Sequence, residues 1–221
     1  MNWYNRVKRF GFWQASLASL LRNLTIHLNI HFWSIQTRIP ELDYIPPQEH
    51  SRDFVFRSLT ANEVLVAAHN PDLGLTQSFV KNAFSRGDIC TGALLGETLV
   101  AYSWKTFSHA PLTKGLWIRI DQQPQFYGYK AFVLPEYRGR RLSTSVARAN
   151  DTDLVRAGAQ WGVSYIALSN LESRAVNLKT DSRVFRGYAG YWKIGSHYLC
   201  FRTKGAKPFI QFEQSRTDFS I

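Results

Sequence analysis

The run Phe126-Tyr127-Gly128-Tyr129-Lys130-Ala131-Phe132-Val133-Leu134-Pro135-Glu136-Tyr137-Arg138-Gly139-Arg140-Arg141-Leu142 decides the fold of this 221-residue chain. Its aromatic and branched first half reads as a strand, and Pro135 stops it. A basic turn over 136–141 follows, and a helix is predicted from Leu142 into the region of Arg156. The first N–H groups of a helix lack intrahelical partners and sit at the positive end of its dipole. Arginines and free N–H groups therefore meet at one place, which suits an anion.

Working outward, residues 53–59 alternate as a first strand. Thr60 with Glu63 three residues on is a capping box for a helix over 61–69, and a second helix is predicted over 76–86. Residues 88–95 and 98–107 form a hairpin through Gly96-Glu97, and 116–120 is a further strand after a loop at 108–114. Downstream come a strand at 162–169, a helix at 172–180, and a hairpin of 185–194 with 197–202. This order predicts an α+β (mixed α/β) fold: a central mixed, mostly antiparallel sheet flanked by helices. The predicted organisation is an N-terminal amphipathic helical extension over 1–39, a linker over 40–52, a compact domain over 53–204, and a strand or tail over 205–221.

The centre of this order, Val133 to Leu142, resembles the GCN5-related N-acetyltransferase (GNAT) superfamily, and the likeness covers about residues 53–202. The family's fourth strand ends in an Arg/Gln-x-x-Gly-x-Gly/Ala turn whose N–H groups hold the pyrophosphate of acetyl-CoA. Arg138 matches its first position and Gly139 the glycine common after it. Arg141 stands at the first signature glycine, Ser143 at the last small position, and Arg140 and Leu142 complete the turn. The resemblance implies that Phe132 and Val133 offer backbone to the cofactor. It also implies a second element, Asn170-Leu171-Glu172-Ser173, matching Asn-x-x-Ser/Ala beside the pantetheine arm. Asn170 and Ser173 are equally suited to capping a helix.

The activity so implied is acyl transfer, most simply N-acetyl transfer, from acetyl-CoA or another acyl-CoA to an amine. The amine would attack directly within a ternary complex, with a strand N–H near Val133 stabilising the oxyanion. No metal is expected. Members often place a Tyr proton donor where this chain has Asn177, so either the thiolate leaves unaided or protonated by water, or Tyr129 or Tyr188 protonates it. Strand 126–134 carries no carboxylate, which leaves Asp121 as the nearest acidic candidate for a base. His109 and Glu136 read as a loop residue and local charge balance. The alternatives are a catalytically weak binding or regulatory module, and an enzyme using a long-chain acyl donor or acyl carrier protein; the aromatic residues Trp104, Phe107, Trp117, Phe126, Tyr127 and Tyr129 suit an apolar pocket.

The formal net charge of +11 favours anionic partners. No nucleic-acid-binding signature is visible, so nucleic acid is not expected. Cys90 and Cys200 sit in apolar strands and read as buried free thiols, in keeping with a cytoplasmic setting. In the N-terminal segment Phe10, Trp13, Leu17, Leu20, Leu24 and Leu28 recur at helical spacing. Arg22, Asn23, His27, Asn29 and His31 interrupt any span of membrane length, and no signal-peptide cleavage site follows. The apolar stripe packs on the domain, joins a homodimer, or lies peripherally on a membrane. His27 and His31 lack a third ligand and read as structural.

Overall fold

The computed structural model describes residues 3–45, 52–120, 124–178 and 183–214. The chain begins with α1 (Trp3–Phe10), α2 (Phe12–Leu28), β1 (Ile30–Arg38), β2 (Phe54–Leu59), α3 (Ala61–Ala67) and α4 (Gln77–Ser85). It continues through β3 (Ile89–Leu95), β4 (Thr98–Thr106), β5 (His109–Thr113), β6 (Leu116–Arg119), β7 (Gln125–Val133), α5 (Leu142–Arg148) and α6 (Asp151–Arg156). The last elements are β8 (Trp161–Ala167), α7 (Leu171–Leu178), β9 (Arg183–Ile194), β10 (His197–Arg202) and β11 (Gln211–Gln214). The result is an α+β chain whose strands pair mostly antiparallel, with flanking helices.

It divides into two compact units, Met1–Arg38 with Val163–Gln214, and Ile39–Gly162 with Ser215–Ile221. That division differs from a compact domain over 53–204: residues 163–204 belong with the N-terminal segment. In the first unit the strand order is β10-β9-β1-β8, so β1 is an inner strand. Residues 30–38, expected as helix, are therefore strand. Asn29 in the left-handed conformation ends α2, its N–H bonded to the Leu24 carbonyl. The Ile30–Arg38 run, rich in β-branched and aromatic side chains, then pairs antiparallel with β9. Phe32 lies opposite Gly190 in that ladder, with its ring 5.6 Å from the ring of Phe201.

In the second unit β7-β4-β3-β2 form an antiparallel sheet. Helices α3, α4 and α5 supply Val64, Phe79, Val80, Leu142 and Val146 to a core that meets Cys90, Leu99, Val100, Tyr102 and Trp104. The capping box forms as read: the Thr60 side chain accepts from Glu63 N–H, and the Glu63 carboxylate accepts from Thr60 N–H at 2.8 Å. Two readings are corrected in this unit. The expected loop at 108–114 contains β5, which pairs with β6. The single helix expected beyond Leu142 is two short helices, broken because buried Asn150 leaves the helical path to receive the Lys105 ammonium.

The segment expected as a linker is anchored where described. Glu41 N–H donates to Asp151 at 3.1 Å, the Glu41 carboxylate pairs with Arg148 at 2.8 Å, and Asp43 N–H donates to Thr152 at 2.9 Å. Residues 46–51 of it lie outside the described residues. Cys90 is buried, whereas Cys200, expected to be buried, is exposed on the edge strand β10.

Candidate functional site

The turn that follows β7 is held from both sides. Upstream, β7 is laddered to β4, with Phe132 opposite Tyr102 and Val133 opposite Ala101, and Leu134 N–H reaches the Val100 carbonyl at 3.0 Å. Downstream, buried Leu142 and Val146 fix α5 into the core. Between them a single 3-10 turn, Pro135–Tyr137, reverses the chain, and Arg138 returns to extended backbone.

Gly139 and Arg141 then both take positive φ, 85° and 57°. Two left-handed residues in three turn the chain tightly into α5, whose first bonds run from Thr144 and Ser145 N–H to the Arg141 carbonyl. The N–H groups of Gly139, Arg140, Arg141, Leu142 and Ser143 have no hydrogen-bond partner among the described residues. Successive N–H groups around left-handed residues make a concave anion site.

The side chains reinforce that polarity. Arg138, Arg140 and Arg141 are all exposed. Arg138 Nε donates to the Val133 carbonyl at 3.2 Å, and its guanidinium lies 5.8 Å from the centre of the Phe132 ring. Arg140 lies 5.6 Å from the Tyr137 ring centre. Each cation thus lies over an aromatic of the same strand–turn unit, and a guanidinium's forked N–H donors match phosphate oxygens. This donor set fits a diphosphate.

Arg141 occupies a left-handed position that favours glycine, because Cβ crowds the following carbonyl there. Replacing it with glycine relieves that crowding while adding freedom to the unfolded chain. Arg141→Gly is expected to stabilise the protein by about 0.5–1 kcal/mol in urea unfolding. If the left-handed conformation carries no cost here, the variant will instead be less stable.

The remaining candidates are distributed unevenly. Tyr129 sits at an irregularity of β7, where the register against β4 shifts between Trp104 and Lys105. Its hydroxyl donates to Asp88 at 2.8 Å, and Asp88 also pairs with Arg86 at 2.6 Å. Burial, and then the Asp88 carboxylate, push the Tyr129 phenol far above its ordinary range. So placed, Tyr129 holds its proton too firmly to release it to a thiolate. Tyr188 and the second element belong to the first unit. Tyr188 is exposed on β9, and its N–H donates to Thr203. Asn170 caps α7, accepting from Ser173 N–H at 3.0 Å, and Asn177 lies in that helix. Asp121 lies outside the described residues.

Two buried polar clusters of the second unit had no sequence reading. One is Asp88 with Arg86 and Tyr129. The other is Lys105, whose ammonium donates to Asn150 and to Thr91. Lys130 is a third cation drawn inward. It donates to the Gly74 carbonyl at 3.1 Å, stands 4.5 Å from the Phe79 ring centre, and has its pKa lowered by burial. Burial pushes the Cys90 thiol well up, so it is a poor nucleophile.

No protein-family model matches the chain, and no curated protein matches it. Solved structures do. One is a protein from Novosphingobium aromaticivorans assigned to the GNAT acetyltransferases, at 14% identity and TM-score 0.49, with 72% of this chain covering 62% of that one. An aminoglycoside N-acetyltransferase in complex with CoA matches at 14% identity and TM-score 0.44, over 57% of this chain and 84% of its own. A GCN5-related N-acetyltransferase from Sphaerobacter thermophilus matches at 12% identity and TM-score 0.46, over 84% of this chain and 56% of its own. The chain therefore spans less than two thirds of the length of the first and third of these.

Proposed function

We propose that this chain is an N-acyltransferase that takes an acyl group from a CoA thioester and delivers it to an amine. The observation that carries the reading is the turn at 139–143. A run of unpartnered N–H groups is bounded by three exposed arginines between a laddered strand and a core-packed helix. In this reading those N–H groups and Arg138, Arg140 and Arg141 hold the pyrophosphate, and the end of β7 at Phe132 and Val133 lies along the thioester arm. The neutral amine attacks the thioester carbonyl, a C–N bond forms, the C–S bond breaks, and the thiolate leaves. The amine's proton goes to solvent or a base. With Tyr129 committed to Asp88, the thiolate leaves as such or is protonated from water.

Calorimetry with acetyl-CoA and longer acyl-CoAs tests the donor site. Binding is expected, weakened about tenfold by Arg138→Ala through loss of a charge-assisted contact to phosphate. Absence of heat with every acyl-CoA, together with no effect of Arg138→Ala, sinks the reading. The engaged Tyr129 hydroxyl favours one alternative, a CoA-binding module without turnover. Mass spectrometry of an amine library incubated with acyl-CoA separates the two: tight CoA binding with no acylated amine supports the module.

A further inference from the structure

The apolar stripe of α2 faces solvent. At about 100° per residue, Trp13, Leu17, Leu20, Leu24 and Leu28 fall within roughly 80° of the helix circumference. Trp13 is 83% exposed, Leu17 54%, Leu20 56% and Leu28 51%. The opposite face holds the helix's buried residues, Ala15 and Ala18, which are small. The helix is thus inverted relative to the usual surface helix: its large apolar side chains point away from its own unit. Trp3 of α1 and Phe12 extend the patch, with Trp3 edge-on to Phe12 at 6.0 Å and Phe12 edge-on to Trp13 at 5.6 Å.

Charge singles out the partner. Residues 1–40 contain no Asp or Glu, and Lys8 and Arg9 are exposed on α1, the helix that carries Trp3. The whole first unit carries thirteen Lys and Arg against three Asp and Glu, a net of +10, out of +11 for the chain. The excess is therefore concentrated in the unit that exposes the stripe. A second copy meeting this face would bring an equal positive charge against it. A bilayer of anionic lipid offers both what the stripe needs and what the cations need. No described helix is long and apolar enough to cross a membrane, so the fit is to the interface plane.

We infer that α1 and α2 form a docking surface for an anionic lipid bilayer. Trp3, Phe12, Trp13, Leu17 and Leu20 enter the headgroup–acyl boundary, and Lys8 and Arg9 meet the lipid phosphates. This inference stands apart from acyl transfer and does not depend on it.

Point substitution is the sound test, because deleting residues 1–39 would also remove the inner strand β1. The full chain is sedimented with vesicles of phosphatidylcholine mixed with phosphatidylglycerol, and with vesicles of phosphatidylcholine alone. It is expected to pellet with the mixed vesicles and to bind the neutral ones far more weakly. Trp13→Gln/Leu17→Gln/Leu20→Gln is expected to bind roughly a hundredfold more weakly with an unchanged melting temperature. Lys8→Ala/Arg9→Ala is expected to lose about tenfold or more, on mixed vesicles only. Amide hydrogen exchange on the unaltered chain provides a reading free of folding effects, with α1 and α2 slowed by mixed vesicles. A full chain left in the supernatant, equal binding to both vesicle types, or unchanged binding by the glutamine variant overturns the inference. So does a stable dimer that this variant dissociates without any vesicle binding, which would show a second copy on the face.

Discussion

Gly190→Ala is expected to unfold the first unit, costing more than about 4 kcal/mol. A Cβ at this position would stand 2.1 Å from the His31 carbonyl oxygen and 2.5 Å from the Phe201 ring. The ring could rotate away. The carbonyl cannot, because His31 lies within the unbroken stretch of ladder that joins Ile30–Ile35 to β9. The unit must therefore break pairing between β1 and β9, and β1 is an inner strand. Far-UV circular dichroism during a urea titration measures the loss. Gly190→Ala/Phe201→Ala separates the two contacts: it should remain as unstable as Gly190→Ala, because the backbone clash is still present. A midpoint within the error of the unaltered chain would show that β1 and β9 are not paired in this register.

That strand is also where reading the chain by periodicity failed. Trp13 to Leu28 sets a helical rhythm that breaks at Ile30, two residues after Leu28, whereas the more conspicuous stop, Arg38-Ile39-Pro40, lies ten residues on. The stop signal was local and legible: Asn29, a residue that tolerates the left-handed conformation, stands at the end of α2. The outward direction of the apolar stripe was not legible, because spacing fixes which residues share a face and not what that face meets. Elements set by adjacent residues were readable throughout. Thr60 and Glu63 close their capping box, Asn70 accepts from Asp72 N–H to start its turn, and Thr76 caps α4.

At the candidate site the turn itself was legible, because Pro135, Gly139 and the arginines act on backbone within a few residues. The left-handed Arg141 left only an indirect trace, its place at a position where the resembled turn has glycine, because arginine itself does not favour that conformation. The buried clusters were hidden for a different reason. Tyr129 meets Asp88 across forty-one positions and Lys105 meets Asn150 across forty-five, so neither partner marks the other locally. Asn150 looks like an ordinary helix residue until the ammonium it receives is known.

Asp88→Ala is the second large effect, expected at about 3–5 kcal/mol. The Asp88 side chain is fully buried, that of Arg86 is nearly so, and one carboxylate oxygen serves both Arg86 and the Tyr129 hydroxyl. Removing it strands a guanidinium and a phenol away from water. The Arg86 guanidinium keeps its place 5.4 Å from the Trp117 ring centre, which compensates only a fraction of the lost pair. Asp88→Asn should cost less than the alanine variant, since an amide oxygen still accepts from Tyr129 while the charge is gone. The decisive comparison is Arg86→Met/Asp88→Leu, which removes both charges and fills the space. It should be more stable than Asp88→Leu alone, because an uncompensated buried cation costs more than an absent pair. Equal stability of the single and double variants would mean that Arg86 reaches water on its own, and that the Asp88 carboxylate is held chiefly by Tyr129.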